Sequence, residues 1–211
     1  MFDLDGTLVD SRRDIAEALN VALVETGHAP LALDAILPMI GDGARVLVAR
    51  ALGVESSNIE LVDPALSVFM QRYSEKPVVH TTLLAGARAA LALELPSALV
   101  TNKPRAITML VLAALGIADS FGAVFAGGDG PLKPSPFGIE KVVSELGVSI
   151  DQAWLVGDGP QDVLAGRAAG CFTVAVPGIA ERERVLAAGP HLVLSSLDDL
   201  PAAVGASSAR A

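Results

Sequence analysis

Met1-Phe2-Asp3-Leu4-Asp5-Gly6-Thr7-Leu8-Val9-Asp10 opens the chain with an apolar stub, two carboxylates spaced i, i+2, and a Gly-Thr turn. Strand periodicity of two points Asp3 and Asp5 to the same side of a chain that is leaving a strand. Two like charges held that close repel, and a hard cation such as Mg²⁺ is the simplest group that would hold them together. A second acidic turn, Val156-Gly157-Asp158-Gly159-Pro160-Gln161-Asp162, comes far downstream, with Val100-Thr101-Asn102 and Lys133-Pro134 in between. A D-x-D alone is most often a solvated turn. Four such pieces in one chain, each after an apolar run of strand character, point to one shared site.

Working outward, Ser11 and Asp14 have the spacing of an S-x-x-D capping box. Ile15, Ala18, Leu19, Ala22 and Leu23 then repeat as one helix face that ends near Gly27. From there to about Thr82 the pattern is helix or loop, and Asp63-Pro64 reads as an N-cap with proline at the first helical position. After Gly86 the pattern changes. Short apolar runs at 97–101, 123–126, 153–157, 172–176 and 191–194 alternate with helical patterns at 105–115, 136–146 and 162–169, the last three stopped by Gly116, Gly147 and Gly170. This alternation predicts an α/β fold, a doubly wound parallel sheet with helices on both faces. Ligands in such sheets bind beyond the carboxyl ends of the strands. Asp3/Asp5, Thr101 and Asp158 all fall at such ends.

At 211 residues the chain suits one domain with an inserted subdomain. The apolar run 106–118 is shorter than the roughly 18–20 residues that cross a bilayer, and no secretory signal pattern opens the chain. Cys171 is the single cysteine, so no internal disulfide is possible, and a reducing cytoplasm is expected. Its flanks read as a buried strand, which makes it a small core hydrophobe. A net charge of −9 argues against a nucleic-acid partner, so any positive charge at an anion site must come from a metal and a few placed cations.

Taken in order, the four segments resemble the haloacid dehalogenase-like superfamily of phosphohydrolases, from Asp3 to about Gly170. The resemblance implies a Rossmann-like core at 1–13 and 82–205, a helical cap at 14–81, and a frayed tail at 206–211. It also implies Mg²⁺ held by Asp3, the backbone carbonyl of Asp5, and Asp158, with Asp162 orienting the metal's ligands. Asp3 becomes the nucleophile and Asp5 the acid and base. Thr101 and Asn102 bind the phosphoryl group, and Lys133 neutralises charge on it. Two positions depart from the family pattern: Gly159 stands where relatives carry serine or threonine, and only Met1 and Phe2 precede Asp3 where a central strand normally has more residues.

Asp5 argues against haloacid dehalogenation, and Lys76, the lone lysine of the cap, is badly placed for a Schiff base. The segment 39–47 looks like the glycine-bearing cap loop of phosphoglycolate phosphatases, with Gly43 and Arg45 as candidate specificity residues. Arg45 suits a substrate carboxylate, and Arg12 and Arg13 compete for that role. The expected activity is phosphate monoester hydrolysis, with 2-phosphoglycolate first. A sugar-phosphate mutase, a pyrophosphatase or nucleotidase, and a non-catalytic phosphate-binding protein are the alternatives. The expected partner is a small phosphorylated metabolite, with no membrane, for a monomer or homodimer. His28, His80 and His191 are scattered along the sequence and suggest no metal cluster.

Overall fold

The computed structural model describes residues 1–176 and 182–208. Its elements in order are β1 (Val9–Asp10), α1 (Arg12–Glu25), α2 (Leu33–Ile36), α3 (Ala44–Leu52), α4 (Ile59–Glu75), β2 (Thr82–Leu83), α5 (Ala87–Leu91) and β3 (Ala98–Pro104). They continue as α6 (Arg105–Ala114), β4 (Ala123–Gly127), α7 (Phe137–Leu146), β5 (Trp154–Gly157), α8 (Pro160–Ala169), β6 (Phe172–Ala175), α9 (Arg182–Ala187), β7 (Leu192–Val193) and α10 (Leu200–Ser208). Strands β3 and β4 pair in parallel, as do β5, β6 and β7.

Residues 1–3 join these two groups. Phe2 bridges in parallel to Leu99 on one side and to Val156 on the other. The Phe2 N–H donates to the Ala98 carbonyl and the Asp3 N–H to the Val156 carbonyl, both at 2.9 Å. The short opening segment therefore lies in the middle of the sheet, between β3 and β5, where the expected first strand belongs. The Met1 ammonium donates to the Trp154 carbonyl at 2.7 Å, and burial lowers its pKa to about 6. Phe2, Leu4, Leu99 and Val156 pack together in the core beneath Asp3. Cys171 is buried in a second apolar cluster with Val100 and Leu155, and burial pushes its thiol up to about 11, which suits a packing role.

Helices α1, α3 and α4 pack on one another above the carboxyl ends of the strands. Val62, Ala65, Phe69 and Tyr73, spaced i, i+3, i+7, i+11, form the buried face of α4. This face explains one correction. The helix starts at Ile59, capped by Asn58, whose side chain accepts from the Leu61 N–H at 3.3 Å. Pro64 therefore sits inside the helix and not at its first position. Burial of the apolar stripe carries the helix past the hydrogen bond that proline removes.

The Ser11–Asp14 capping box also does not form. The Ser11 hydroxyl donates to Asp5 Oδ1 at 2.5 Å, and buried Asp14 instead accepts the Val79, His80 and Thr81 N–H groups and the Thr81 hydroxyl. Burial alone would raise the Asp14 pKa, but these bonds outweigh it and hold the group below its usual range. Asp14 thus anchors the return of the chain from the helical layer. Beside it β1 and β2 pair antiparallel, a ribbon too short to leave a periodicity in the sequence. His80 is brought to Glu17, with Nε2 3.4 Å from Oε1. Helix α10 runs on to Ser208, past 205, where the sequence reading ended the core. Its alanines favour that continuation. The rest of the expected tail, 209–211, lies outside the described residues.

Candidate active site

Asp3 is the last residue of the central segment, so its backbone is fixed from both sides while its side chain leaves the sheet. It is buried, with one carboxylate oxygen, Oδ1, that accepts no hydrogen bond. Lys133 Nζ approaches that oxygen to 2.8 Å, close enough for an ion pair. The ammonium's aligned bonds go elsewhere, to the Val100 carbonyl at 2.7 Å and to Asp162 Oδ1 at 2.6 Å. Burial raises the Asp3 carboxyl to about 6; Lys133 opposes this, and Asp162 and Asp5 add to it. For Lys133, burial works to lower the pKa, but Asp162 and Asp3 overcome it and leave the ammonium firmly charged.

Asp158 stands at the carboxyl end of β5. Burial, then Asp3 and Asp162, push its carboxyl well above the usual range. One oxygen each from Asp3, Asp158 and Asp162 lies within 4.8 Å of the others. Three clustered carboxylates against one lysine, with a buried Asp3 oxygen left without a hydrogen bond, form an oxygen donor set that fits a hard divalent cation. Asp162 has a second task, because it accepts the Gly159 N–H at 3.0 Å and so caps α8. Its other oxygen, Oδ1, takes the Lys133 ammonium.

The turn after Asp3 is shaped to Asp158. The Thr7 hydroxyl donates to Asp158 Oδ1 at 3.0 Å. Gly6 has φ +87°, and a Cβ there would lie 2.1 Å from Asp158 Oδ2. Gly6→Ala must displace the carboxylate as well as strain the backbone by about 1–2 kcal/mol. The expected result is divalent-cation binding with a midpoint weakened by about 10–100-fold, read by titrating the metal. An unchanged midpoint would show that Asp158 is not held by this turn.

Asp3, Asp5, Thr101 and Asn102 line a cavity of about 40 Å³ between the strand ends and the helical layer. Gly43 lines it too, and a Cβ there would meet Leu132 Cδ1 at 2.8 Å. Thr101 is buried, and its hydroxyl accepts the Lys103 N–H at 3.3 Å. The Asn102 side chain is a staple: its amide donates to the carbonyls of Gly41 and Lys133, both at 3.0 Å, and its oxygen accepts the Lys133 N–H at 2.8 Å. It ties the lysine loop to the helical layer. The Lys133–Pro134 peptide is cis. Lys133, Asp158 and Asp162 lie outside the cavity wall.

Arg45 is not brought to this cavity. Its guanidinium donates to Asp63 Oδ1 at 2.5 Å and to the Ser56 carbonyl at 3.2 Å, within the helical layer. Arg12 pairs with Asp10 and Arg13 with Glu17, so neither competitor lines the cavity either. The cation that does line it is Lys103, which the sequence reading passed over. Its Nζ donates to Asp5 Oδ1 at 3.0 Å, to Asp5 Oδ2 at 3.1 Å and to the Tyr73 hydroxyl at 2.6 Å. Alternation along β3 puts Lys103 on the face of Thr101, the one sequence signal that could have found it.

The chain is similar to several known proteins. The model of the haloacid dehalogenase-like hydrolases matches residues 1–176. The phosphoglycolate phosphatase of Chromobacterium violaceum is 36% identical over 208 residues, covering 94% of this chain and 92% of that protein. The phosphoglycolate phosphatase of Rhodospirillum rubrum is 36% identical over 212 residues, covering 95% of this chain and 88% of that protein. A crystal structure described as a predicted phosphoglycolate phosphatase from Haemophilus somnus superimposes with a TM-score of 0.83, at 26% identity and 96% coverage of both chains. With its parallel sheet and acidic strand ends, the chain belongs to the haloacid dehalogenase-like hydrolase family.

Proposed function

We propose that this chain is a Mg²⁺-dependent phosphatase for a small phosphate monoester, with 2-phosphoglycolate as the preferred substrate. One observation carries the reading: a buried carboxylate, Asp3, keeps an oxygen free of hydrogen bonds beside two further carboxylates and a charged lysine. The similarity to phosphoglycolate phosphatases supports both the reaction and the substrate. Asp3, Asp158 and the backbone carbonyl of Asp5 would hold the cation. Bound there, Mg²⁺ supplies the positive charge that lets an anionic nucleophile approach an anionic phosphoryl group.

Asp3 attacks phosphorus through its carboxylate oxygen, and an aspartyl-phosphate forms as the phosphorus–alkoxide bond breaks. Asp5 gives its proton to the departing oxygen, then takes one from the water that cleaves the intermediate. Two of Lys133's three N–H groups are committed to Val100 and Asp162; the third, which meets Asp3 without alignment, is available to a phosphoryl oxygen. Thr101 and the Asn102 backbone N–H complete the phosphoryl contacts. A cavity of about 40 Å³ holds only about three waters, so substrate enters when the helical layer, residues 14–81, lifts as a cap. The expected setting is cytoplasmic, with a small metabolite as partner.

A panel of small phosphate esters scored by kcat/KM with Mg²⁺ tests the reading. 2-Phosphoglycolate should rank first, and chelation should abolish turnover. Full activity in chelator would contradict the metal assignment, and a leading sugar phosphate would contradict the substrate. Asp5→Asn should slow alkyl phosphates far more than aryl phosphates, whose leaving groups need no proton. Equal loss on both would remove Asp5 from the acid role.

A further inference from the structure

Lys103 raises a question that the phosphatase chemistry leaves open. Phosphoryl transfer as described uses Asp3, Asp5, Thr101 and Lys133, yet a second lysine is buried at the same cavity, with its side chain only 2% exposed. It spans the seam between the two layers. On the sheet side its ammonium meets both oxygens of Asp5, and on the helical side it meets the Tyr73 hydroxyl and lies 4.5 Å from the Tyr73 ring centroid. Around it the cavity wall is apolar, with Ile15, Leu47 and Phe69. Among the described residues that line the cavity, Lys103 is the one cation.

A buried ammonium must keep an anionic partner, and here that partner is the proposed acid. Asp5, the group proposed to serve the leaving oxygen, holds the Lys103 ammonium beside it, so a substituent one carbon from that oxygen is brought to the one cation among the described residues of the cavity lining. A substrate carrying an anion there gains a charged partner in a buried site, and one without it does not. The Tyr73 hydroxyl, already turned to Lys103, supplies a neutral donor beside it.

We propose that Lys103, assisted by Tyr73, is the specificity residue for this site, binding a carboxylate carried one carbon from the phosphorylated oxygen. The inference rests on the phosphatase reading and gives it a substrate class: phosphomonoesters of short 2-hydroxy acids. It also assigns to the end of β3 the role that the sequence reading gave to Arg45.

The test compares 2-phosphoglycolate with 2-hydroxyethyl phosphate, which replaces the carboxylate by CH₂OH, by kcat/KM for each protein. Wild type should favour phosphoglycolate by on the order of 10²-fold, the scale of a hydrogen-bonded charge pair in a buried site. Lys103→Met lowers both rates through its contact with Asp5, but the preference should collapse to within about threefold. Lys103→Arg keeps the charge and should retain most of the preference. Tyr73→Phe, which removes only the hydroxyl, should cut the preference by about 3–10-fold and so tests the idea even where Lys103→Met folds poorly. If Lys103→Met slows both esters by the same factor, Lys103 serves Asp5 alone and the inference is wrong. A wild type that turns over both esters without preference also overturns it, while the phosphatase reading survives. A wild type that hydrolyses neither overturns both.

Discussion

Asp3→Asn should abolish turnover and at the same time stabilise the metal-free protein. Asparagine keeps the shape but is a poor nucleophile, so kcat should fall by about 10⁴-fold or more. The stability gain follows from linkage. Burial raises the Asp3 carboxyl to about 6 in the fold, against 3.8 for an ordinary aspartate. The folded state therefore holds its proton more tightly than the unfolded state, and stability falls as pH rises from about 4 to 6. Above pH 6 the whole penalty is present, about 2–3 kcal/mol. Asparagine escapes it. In chelator at pH 8 the variant should melt higher than wild type, and near pH 4 the difference should vanish. Retention of more than about a tenth of the wild-type rate would contradict the covalent role, and equal melting at pH 8 would contradict the strained carboxylate.

Lys133→Met should also slow turnover, but it should move stability the other way. The ammonium is 2.6 Å from Asp162 and 2.8 Å from Asp3, and both carboxylates are buried. Breaking a buried pair by removing one partner typically costs about 3–5 kcal/mol, because the remaining charges lose their counter-ion. The metal-free variant should lose stability on that scale, and Mg²⁺ should recover more stability for it than for wild type. Catalysis should drop by about 10²–10³-fold even at saturating Mg²⁺, the effect of removing one placed charge from a phosphoryl site. Melting with and without Mg²⁺, together with kcat, checks both parts. A variant within tenfold of wild-type kcat would leave Lys133 a structural lysine.

Much of this site could be read from the sequence because its parts sit where strands end. Asp3, Thr101 and Asp158 each follow an apolar run, and the order of those runs was enough to expect a parallel sheet with one shared edge. What escaped reading depends on contacts between distant segments. Thr7 looks like an ordinary turn residue until Asp158 is placed beside it. Asp14 has the spacing of a capping box, but the three N–H groups of residues 79–81 form a stronger claim on its carboxylate than its own helix does. Pro64 gave a sound helix signal at the wrong turn, since the buried stripe of α4 began before it. Arg45 was plausible as an anion receptor by charge and by position in a glycine-bearing loop, yet Asp63 lies close enough to take it. Lys103 acquires meaning through Asp5 and through Tyr73, thirty positions earlier on the opposite side of the seam.

The central claim is that phosphorus is attacked first by Asp3 and only then by water. The stereochemical course at phosphorus tests it most directly, with an ester made chiral by oxygen isotopes and sulfur. Two successive in-line displacements give net retention, and retention is the predicted result. Net inversion would mean that water attacks the ester directly and that Asp3 never carries the phosphoryl group.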